Sequence, residues 1–157
     1  MTSGREIARA LRAAYLALHR QTNDCFVKDG VTADQFVLLS ALADEDAVTQ
    51  QELVRRVGSD PSTVRAMLLL LEGFGLVIRA SHPSDGRARC VMQTVKGRRV
   101  FKRLWTRSEP LRARLLAAFR PDEVAGLVRL LGRVAEVLAS PASNGSRTTK
   151  AKTGFEC

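Results

Sequence analysis

Two short, capped helices followed by a basic hairpin occupy the segment between Thr49 and Thr94, and this order constrains the fold most strongly. The first helix opens at Thr49 with Glu52 three residues later, a capping-box spacing in which the hydroxyl and the carboxylate can each satisfy a free backbone N–H. A break at residues 58–61 supplies a glycine that suits a helix end, Asp60 as the next cap, and a proline for the first position of the second helix. The sequence therefore predicts two consecutive helices joined by a tight turn.

A hairpin follows the second helix, which is predicted to end at Gly73 or Gly75. Residues 76–79 and 87–92 have the composition of strands, and the loop at 82–86 contains an Asp-Gly turn. Helix, turn, helix and hairpin in this order predict a mainly α fold with a small β wing, the winged helix-turn-helix. Such a fold places its second helix, here called the recognition helix, in the major groove of DNA.

The charge of the chain points to the same kind of partner. The 157 residues include 25 Lys and Arg against 16 Asp and Glu, a net charge of +9, and a basic balance of this size favours polyanions. Asp85 is the only acid in the stretch from Arg79 to Arg103, which overlaps the hairpin and the helix after it. We favour phosphate contacts for this stretch over the alternative of a solvated cationic face. Its basic residues are Arg79, Arg87, Arg89, Lys96, Arg98, Arg99, Lys102 and Arg103.

Several classes of protein are disfavoured by what the sequence lacks. No apolar run approaches the ~20 residues of a membrane span, and the N-terminus lacks a signal-peptide core, so we expect a cytoplasmic protein. Cys25, Cys90 and Cys157 are too few and too widely spaced for a disulfide framework or a zinc ribbon, which predicts reduced thiols. The sequence has no nucleophile–base constellation, glycine-rich phosphate loop or metal cluster, so neither an enzyme nor a cofactor is predicted.

Further helices are predicted on both sides of this segment. Residues 5–28 form the first, a capping box at Thr32 opens the second, and a long helix after Thr94 is interrupted by Pro110. Pro121 opens the last helix, which carries a dense leucine stripe. The helical signals thus extend well beyond the winged segment.

We predict a single domain over residues 5–139, with a winged core at 32–95, dimerisation helices at 5–28 and 96–139, and a disordered tail at 140–157. The outer helices carry broad apolar stripes that one small central fold cannot cover. Pairing of two copies would bury these stripes in a two-fold interface. We favour this homodimer over the alternative that the helices pack on their own central fold, because two-fold DNA-binding proteins match two-fold sites.

The recognition helix is predicted to have a buried side and a DNA-facing side. With Asp60 at the cap, the helical period directs Val64, Met67, Leu68 and Leu71 toward the core. Hydroxyl side chains in the first turn of the other side can meet phosphates or base edges at the positive end of the helix dipole. The two sides therefore separate packing residues from contact residues.

Three side chains of the DNA-facing side suggest contacts with bases. Arg65 can form a fork with O6 and N7 of guanine, whereas Ala66 and Leu69 can touch thymine methyl groups. Leu69 and Leu70 also belong to an unbroken apolar run, which strongly favours the alternative of simple core packing.

The wing is predicted to contact the minor groove. Arg87, with Arg89 behind it, suits a narrow groove, where arginine is attracted by the enhanced negative potential. Asp85 is expected to pair with a nearby arginine and fix its direction. With the turn before the recognition helix, the predicted DNA-binding residues are Ser59, Ser62, Thr63, Arg65, Ala66, Arg79, Arg87 and Arg89.

The ordered set of these motifs resembles the MarR family of multiple-antibiotic-resistance-type regulators over nearly all of residues 5–139. The resemblance implies a homodimer that binds a pseudo-palindromic operator in double-stranded DNA, usually as a repressor. It also implies a pocket for a small ligand, often a phenolic or other aromatic acid, between the dimerisation helices and the winged helix. Leu69 and Leu70 depart from the family pattern, which often has an Asp-Arg pair there. The matching segments are residues 32–39, 49–53, 62–64, 71–72, 75–77 and 85–87.

The resemblance further indicates where an effector would bind, and ordinary core packing is the alternative for the aromatic candidates. Cys25, with Lys28 one turn away, raises the alternative of a redox-responsive repressor, against that of a buried inert thiol. A largely non-specific architectural DNA-binding protein and a winged helix that binds only proteins are the remaining alternatives. The predicted pocket residues are Tyr15, His19, Cys25, Phe26, Phe36, Phe101 and Trp105.

Overall fold

The fold is the mainly α, winged arrangement that the sequence predicts, in a computed structural model that describes residues 3–45, 47–81, 84, 86 and 89–139. The chain divides into two compact units, Met1–Phe119 and Arg120–Cys157. The helices are α1 (Gly4–Phe26), α2 (Ala33–Ala43), α3 (Gln50–Val57), α4 (Pro61–Gly73), α5 (Val95–Arg107), α6 (Glu109–Ala117) and α7 (Pro121–Ala139), with a 3-10 turn at Val27–Asp29. The strands are β1 (Val48–Thr49), β2 (Val77–Ser81) and β3 (Arg89–Gln93).

Side-chain caps fix the starts of the first two helices. Ser3 and Glu6 form a complete capping box, and α1 begins at Gly4, one residue before the predicted start at residue 5. The α-helix ends at Phe26 rather than at Lys28, because the chain tightens into the 3-10 turn before a left-handed glycine at φ 65°. The predicted capping box of Thr32 at α2 is confirmed.

The helix-turn-helix has the predicted order, with one local difference. Thr49 caps α3 by accepting the Glu52 N–H, but the Glu52 carboxylate does not return the bond, so the predicted capping box is only half formed. Gly58 takes a left-handed φ of 63° at the end of α3, and Asp60 caps α4 with Pro61 in its first turn.

The wing is part of a three-stranded antiparallel sheet in the order β1-β3-β2. Val48 pairs with Val91, and Val77 pairs with Gln93. Strand β2 begins one residue and ends two residues later than predicted, and β3 ends one residue later, at Gln93. The wing residues His82, Asp85 and Arg87 lie outside the described residues, as does the predicted disordered tail at 140–157.

The hydrophobic core lies where α2, α3, α4, α5 and the sheet meet the end of α1. The side chains with no exposed surface include Phe26, Leu38, Leu39, Leu53, Val64, Leu68, Leu71, Cys90 and Leu104. This single cluster ties the recognition helix, which is α4, to the rest of the first unit.

Helix α5 begins against the end of α4, and the contact requires a glycine. A Cβ atom at Gly97 would lie 1.9 Å from the carbonyl oxygen of Leu76, a distance that a side chain cannot occupy. Thr94 and Lys96 also donate hydrogen bonds to the carbonyls of Gly75 and Phe74, at 2.6 and 2.8 Å. The start of α5 therefore clamps the chain that connects α4 to β2.

The long helix predicted after Thr94 is broken, as Pro110 requires. Helix α5 ends at Arg107, and α6 starts after Ser108 with Pro110 in its first turn. In the second unit, none of the 19 residues of α7, all of them described, is buried. Among the described residues, no helix combines the length and the apolar character needed to cross a lipid bilayer.

Candidate nucleic-acid interface and ligand pocket

The recognition helix separates its core side from its outer side as the sequence predicts. Val64, Leu68 and Leu71 have no exposed surface, and Met67 is half-buried. The alternative of core packing for Leu69 and Leu70 is wrong, since these side chains are 52% and 53% exposed. The exposed residues of the helix up to this point are Pro61, Ser62, Thr63, Arg65, Ala66, Leu69 and Leu70.

The Asp60 carboxylate caps the first turn of the recognition helix. Asp60 accepts the Thr63 backbone N–H at 2.9 Å and the Thr63 hydroxyl at 2.5 Å. The hydrogen bond from this hydroxyl, followed by the backbone bond, lowers the pKa of Asp60, so its negative charge persists at the positive end of the helix. The Thr63 hydroxyl proton is thereby committed, which leaves this hydroxyl only as an acceptor.

Arg65 and Ser59 differ in their freedom to meet a ligand. Arg65 is exposed, and its side chain forms no hydrogen bond or ion pair with another described residue. Ser59 is half-buried in the turn before the helix, where its backbone N–H donates to the Val54 carbonyl at 3.3 Å. With respect to the described residues, the Arg65 side chain is therefore available to DNA, whereas the backbone of Ser59 closes the turn.

Arg79 lies on β2 and faces Glu72 of the recognition helix. Its Nε and Nη2 donate to one carboxylate oxygen at 3.1 and 2.7 Å. The hydrogen bond from Arg79 lowers the pKa of Glu72, which favours the charged form of the carboxylate in this pair. In this position Arg79 braces the recognition helix against the wing.

Several other members of the basic stretch also make internal contacts. Lys96 and Arg98 donate to backbone carbonyls at 2.8 and 3.0 Å, and Arg103 donates to the Asp29 carboxylate at 2.9 Å. Arg89 is exposed at the start of β3, whereas Arg87 lies outside the described residues. The exposed members whose side chains form no hydrogen bond or ion pair with another described residue are Arg89, Arg99 and Lys102.

A charged network at α3 was not foreseen from the sequence. Glu52 accepts from Arg55 at 2.6 and 2.9 Å and from Arg56 at 2.7 Å, and Arg56 also reaches Glu45 at 2.5 Å. The hydrogen bonds from Arg55 and then Arg56 lower the pKa of Glu52 to about 2. These arginines hold the carboxylate that the capping box would have used, and the side chain of Arg55 remains 74% exposed.

A second feature is an apolar cavity of about 270 Å³ within the first unit. Helix α1, the start of α2, Ser108 at the break after α5, and helix α6 form its walls. Three of the seven predicted pocket residues line it, and nine further residues were not foreseen. The lining residues are Tyr15, Leu18, His19, Thr22, Ala33, Asp34, Phe36, Val37, Ser108, Leu111, Arg112 and Leu115.

The other aromatic candidates form a chain of contacting rings together with Phe36. Phe26 is fully buried and lies 4.8 Å from Phe36, ring centre to ring centre, so it belongs to the core. Phe36 contacts Phe101 at 5.6 Å, and Phe101 contacts Trp105 at 5.9 Å. Phe101 and Trp105 line a separate open depression beside Lys102. Only Phe36 belongs to both the ring chain and the cavity.

Polar groups at one wall of the cavity are fixed by a hydrogen-bond relay. Asn23 accepts the Ala33 backbone N–H at 2.7 Å through its oxygen, so its amide group faces Nδ1 of His19 at 3.1 Å. His19 then donates from Nε2 to Asp34 at 3.3 Å. Partial burial, followed by the charge of Asp34, raises the pKa of Tyr15, which keeps its hydroxyl protonated.

Arg112 supplies the opposite wall with a cationic group. Its guanidinium carbon lies 3.6 Å from the centre of the Trp105 ring, and one Nη donates to the Trp105 carbonyl at 2.7 Å and to Glu109 at 2.5 Å. Its Nε is one of two buried side-chain polar atoms among the described residues that have no hydrogen-bond partner. A buried N–H of this kind is available to a ligand oxygen.

Cys25 is half-buried and packs against the core, one turn before the exposed Lys28. The part of the chain that the structure describes contains no group of three or more His, Cys, Asp or Glu residues that could hold a metal ion.

The fold and the outward recognition helix define a winged helix-turn-helix protein of the DNA-binding, transcription-regulating class. The chain belongs to the MarR family, whose model matches residues 31–88. The HTH-type transcriptional regulator MgrA of Staphylococcus aureus is 30% identical over 113 residues, 72% of this chain and 76% of MgrA. Transcriptional regulator HosA of Escherichia coli O111:H- is 33% identical over 71 residues, 45% of this chain and only 53% of HosA.

Solved structures support the same fold over most of the chain. PcaV, a transcriptional regulator from Streptomyces coelicolor in complex with its natural ligand, is 31% identical with a TM-score of 0.71, over 87% of this chain and 94% of PcaV. BpsR of Bordetella bronchiseptica, whose DNA binding is regulated by 6-hydroxynicotinic acid, is 25% identical with a TM-score of 0.74, over 87% of this chain and 97% of BpsR.

Proposed function

We propose that this chain acts as a homodimer that binds a pseudo-palindromic operator and represses transcription until a small aromatic acid enters the cavity. The recognition helix is the observation that carries the proposal. Its core side is buried, and its outer side leaves the Arg65 side chain exposed for contact with DNA. Such a helix is suited to insertion into a major groove. Two-fold pairing would present two such helices to two half-sites.

The apolar surface of the outer helices supports the homodimer. In the first unit, Ile7 and Leu18 of α1 and Leu116 of α6 are 50%, 46% and 56% exposed. In the second unit, Leu130 and Leu131 of α7 are 50% and 44% exposed. Extended leucine-rich faces on several helices are typical of surfaces that a second copy covers.

The cavity supports a small aromatic acid as the effector. Apolar side chains and the Phe36 ring suit an aromatic body, and the unpartnered Nε of Arg112 suits a carboxylate. The DNA binding of BpsR is regulated by 6-hydroxynicotinic acid, which is a small aromatic acid. This compound is therefore a suitable first probe of the cavity.

The DNA-binding part is tested by selecting duplexes from a random pool with the full chain and then measuring affinities of variants. Arg65→Ala is expected to relax preference at particular base pairs by about tenfold, since a bidentate contact contributes ~1–3 kcal/mol of discrimination. Arg87→Ala is expected to weaken all sequences alike. Equal affinity for selected and random duplexes at every salt concentration would contradict operator recognition and favour an architectural DNA-binding protein.

The effector part is tested by thermal shift with 6-hydroxynicotinic acid and related aromatic acids. We expect at least one acid to raise the Tm of the wild-type chain and to release the selected duplex, because ligand binding stabilises the folded state. Arg112→Gln should abolish both effects. Arg114→Gln is the matched control, because Arg114 lies on the same helix but bonds to Gln21 outside the cavity lining. Loss of the response in both variants, or in neither, would contradict the assignment to Arg112.

A further inference from the structure

The outward side of the recognition helix has an apolar centre. With roughly 100° between successive residues, the positions farthest from the core-facing Val64, Met67, Leu68 and Leu71 form a single stripe along the helix. This stripe contains Ser62, Ala66, Leu69 and Gly73. Leu69 is therefore the one bulky side chain on a line of small residues.

The neighbours of Leu69 allow it to come close to another molecule. Ser62, Ala66 and Gly73 carry little or no side chain, so the helix backbone can approach a surface closely at these positions. Arg65 lies one turn before Leu69 on one flank of the stripe, and Leu70 lies on the other flank. Leu69 and Leu70 are equally exposed, at 52% and 53%, but only Leu69 is near the centre.

An exposed leucine at the centre of a DNA-facing helix restricts what it can contact. It offers no hydrogen bond, so contact with N7, O6, N6 or N4 of a base would leave that polar group desolvated. The C5 methyl group of thymine is the apolar feature that an unmodified base pair presents in the major groove. Burying one methyl group contributes a factor of about four in affinity.

We infer that Leu69 recognises the methyl group of a thymine in each half-site, beside the guanine that Arg65 contacts. The inference rests on the operator-binding function proposed above. The four residues from Arg65 to Leu69 advance about 6 Å along the helix axis, so the thymine lies about two base pairs from that guanine. Apolar contact at Leu69 thus adds a preference for thymine that Arg65 alone does not give.

The experiment replaces thymine by deoxyuridine, one position at a time, in a duplex selected by the full chain. This change removes only the methyl group and keeps the hydrogen-bonding pattern of the base. For the wild-type chain we expect about a fourfold loss of affinity at one or two positions in each half-site. For Leu69→Ala, those same positions should become insensitive, and the thymine duplex itself should bind about fourfold more weakly.

The matched control is Leu70→Ala, which removes an equally exposed leucine from the flank of the same helix. It should keep the deoxyuridine sensitivity of the wild-type chain. Both variants are expected to fold, because alanine favours a helix and neither leucine lies in the core. Circular dichroism and Tm check this directly.

Three results would overturn the inference. The first is selective binding without deoxyuridine sensitivity at any position. The second is sensitivity that survives Leu69→Ala. The third is loss of that sensitivity in Leu70→Ala as well. In each case operator binding itself would stand, whereas a chain that selects no duplex at all would refute the proposed function together with this inference.

Discussion

Helices α4 and α7 have similar apolar content but differ in how far their apolar side chains are buried. In α4, Val64, Leu68 and Leu71 are completely enclosed by the elements around them. In α7, Leu127, Leu130 and Leu131 remain 40% to 50% exposed. An apolar stripe is buried only where other elements face it. The stripe of α4 is enclosed by elements of the first unit, whereas the stripe of α7 is exposed within its own unit and is part of the surface that the proposed homodimer would bury.

The largest change in stability is expected for Gly97→Ala, which tests how tightly the central fold is packed. The added Cβ would lie 1.9 Å from the Leu76 carbonyl oxygen, and neither backbone can yield without separating α5 from the wing. We expect a loss of at least about 3 kcal/mol, and a Tm lower by about 10 °C, measured by thermal unfolding.

The matched control for this change is Gly132→Ala in α7, where an added Cβ meets no atom within 4 Å. It should instead stabilise by about 0.5–1 kcal/mol through helix propensity. Similar effects at the two glycines would mean that the centre is packed no more tightly than α7.

The next test concerns the open stripe of α7. Leu131→Glu places a charge on it, and we expect the dissociation constant of the homodimer to rise about 100-fold, since a buried unpaired charge is costly. Sedimentation equilibrium and operator affinity measure the change. Gly132→Glu adds the same side chain away from the stripe and should leave the dimer intact. An unchanged mass for Leu131→Glu would show that no second copy covers this stripe.

A smaller effect on stability is expected from replacing two buried glutamines of the central fold, Gln93 and Gln35, and the two replacements should act in opposite directions. Gln93 donates to the Leu39 carbonyl at 2.5 Å, but its Oε1 is buried without a partner among the described residues. Gln93→Leu should therefore raise the free energy of unfolding by about 1 kcal/mol. Gln35→Leu should lower it by a similar amount, because the amide of Gln35 completes the cap of α2 at 3.0 Å. Chemical denaturation distinguishes the two, and destabilisation by Gln93→Leu would contradict this account.

The smallest effect is the acid sensitivity of the network at α3. Arg55, followed by Arg56, lowers the pKa of Glu52 from 4.5 to about 2 in the folded chain. Because the folded pKa is depressed, the stabilisation is present above pH 4.5 and is lost as the pH falls toward 2. Glu52→Gln should make Tm less dependent on pH in this window. An unchanged slope would mean that the exposed network contributes nothing measurable.

The caps show how far local sequence determines structure. Thr32 and Asp60 act on backbone groups three residues away, so their roles follow from spacing alone. Glu52 has the same spacing from Thr49, yet its carboxylate turns to Arg55 and Arg56. Where two local interactions compete for one side chain, sequence spacing does not decide between them.

The candidate sites show the same limit on a longer scale. The outward position of Arg65 follows from the helical period, whereas the pairing of Arg79 with Glu72 depends on how the wing returns to α4. Tyr15, Asp34 and Arg112 line one cavity although they are far apart in the chain. Nothing in the spacing of these residues indicates that they meet.

The amino-acid sequence by itself determined the order of the helices, the caps that open them, the hairpin, the break near Pro110 and the family, because each depends on neighbouring residues or on an ordered set of motifs. Only the tertiary structure decided that Leu69 and Leu70 stay exposed, that Arg112 faces a cavity and that Gly97 cannot carry a side chain. Whether an apolar or charged side chain is covered depends on which distant elements pack against it, and helical period alone does not specify those neighbours.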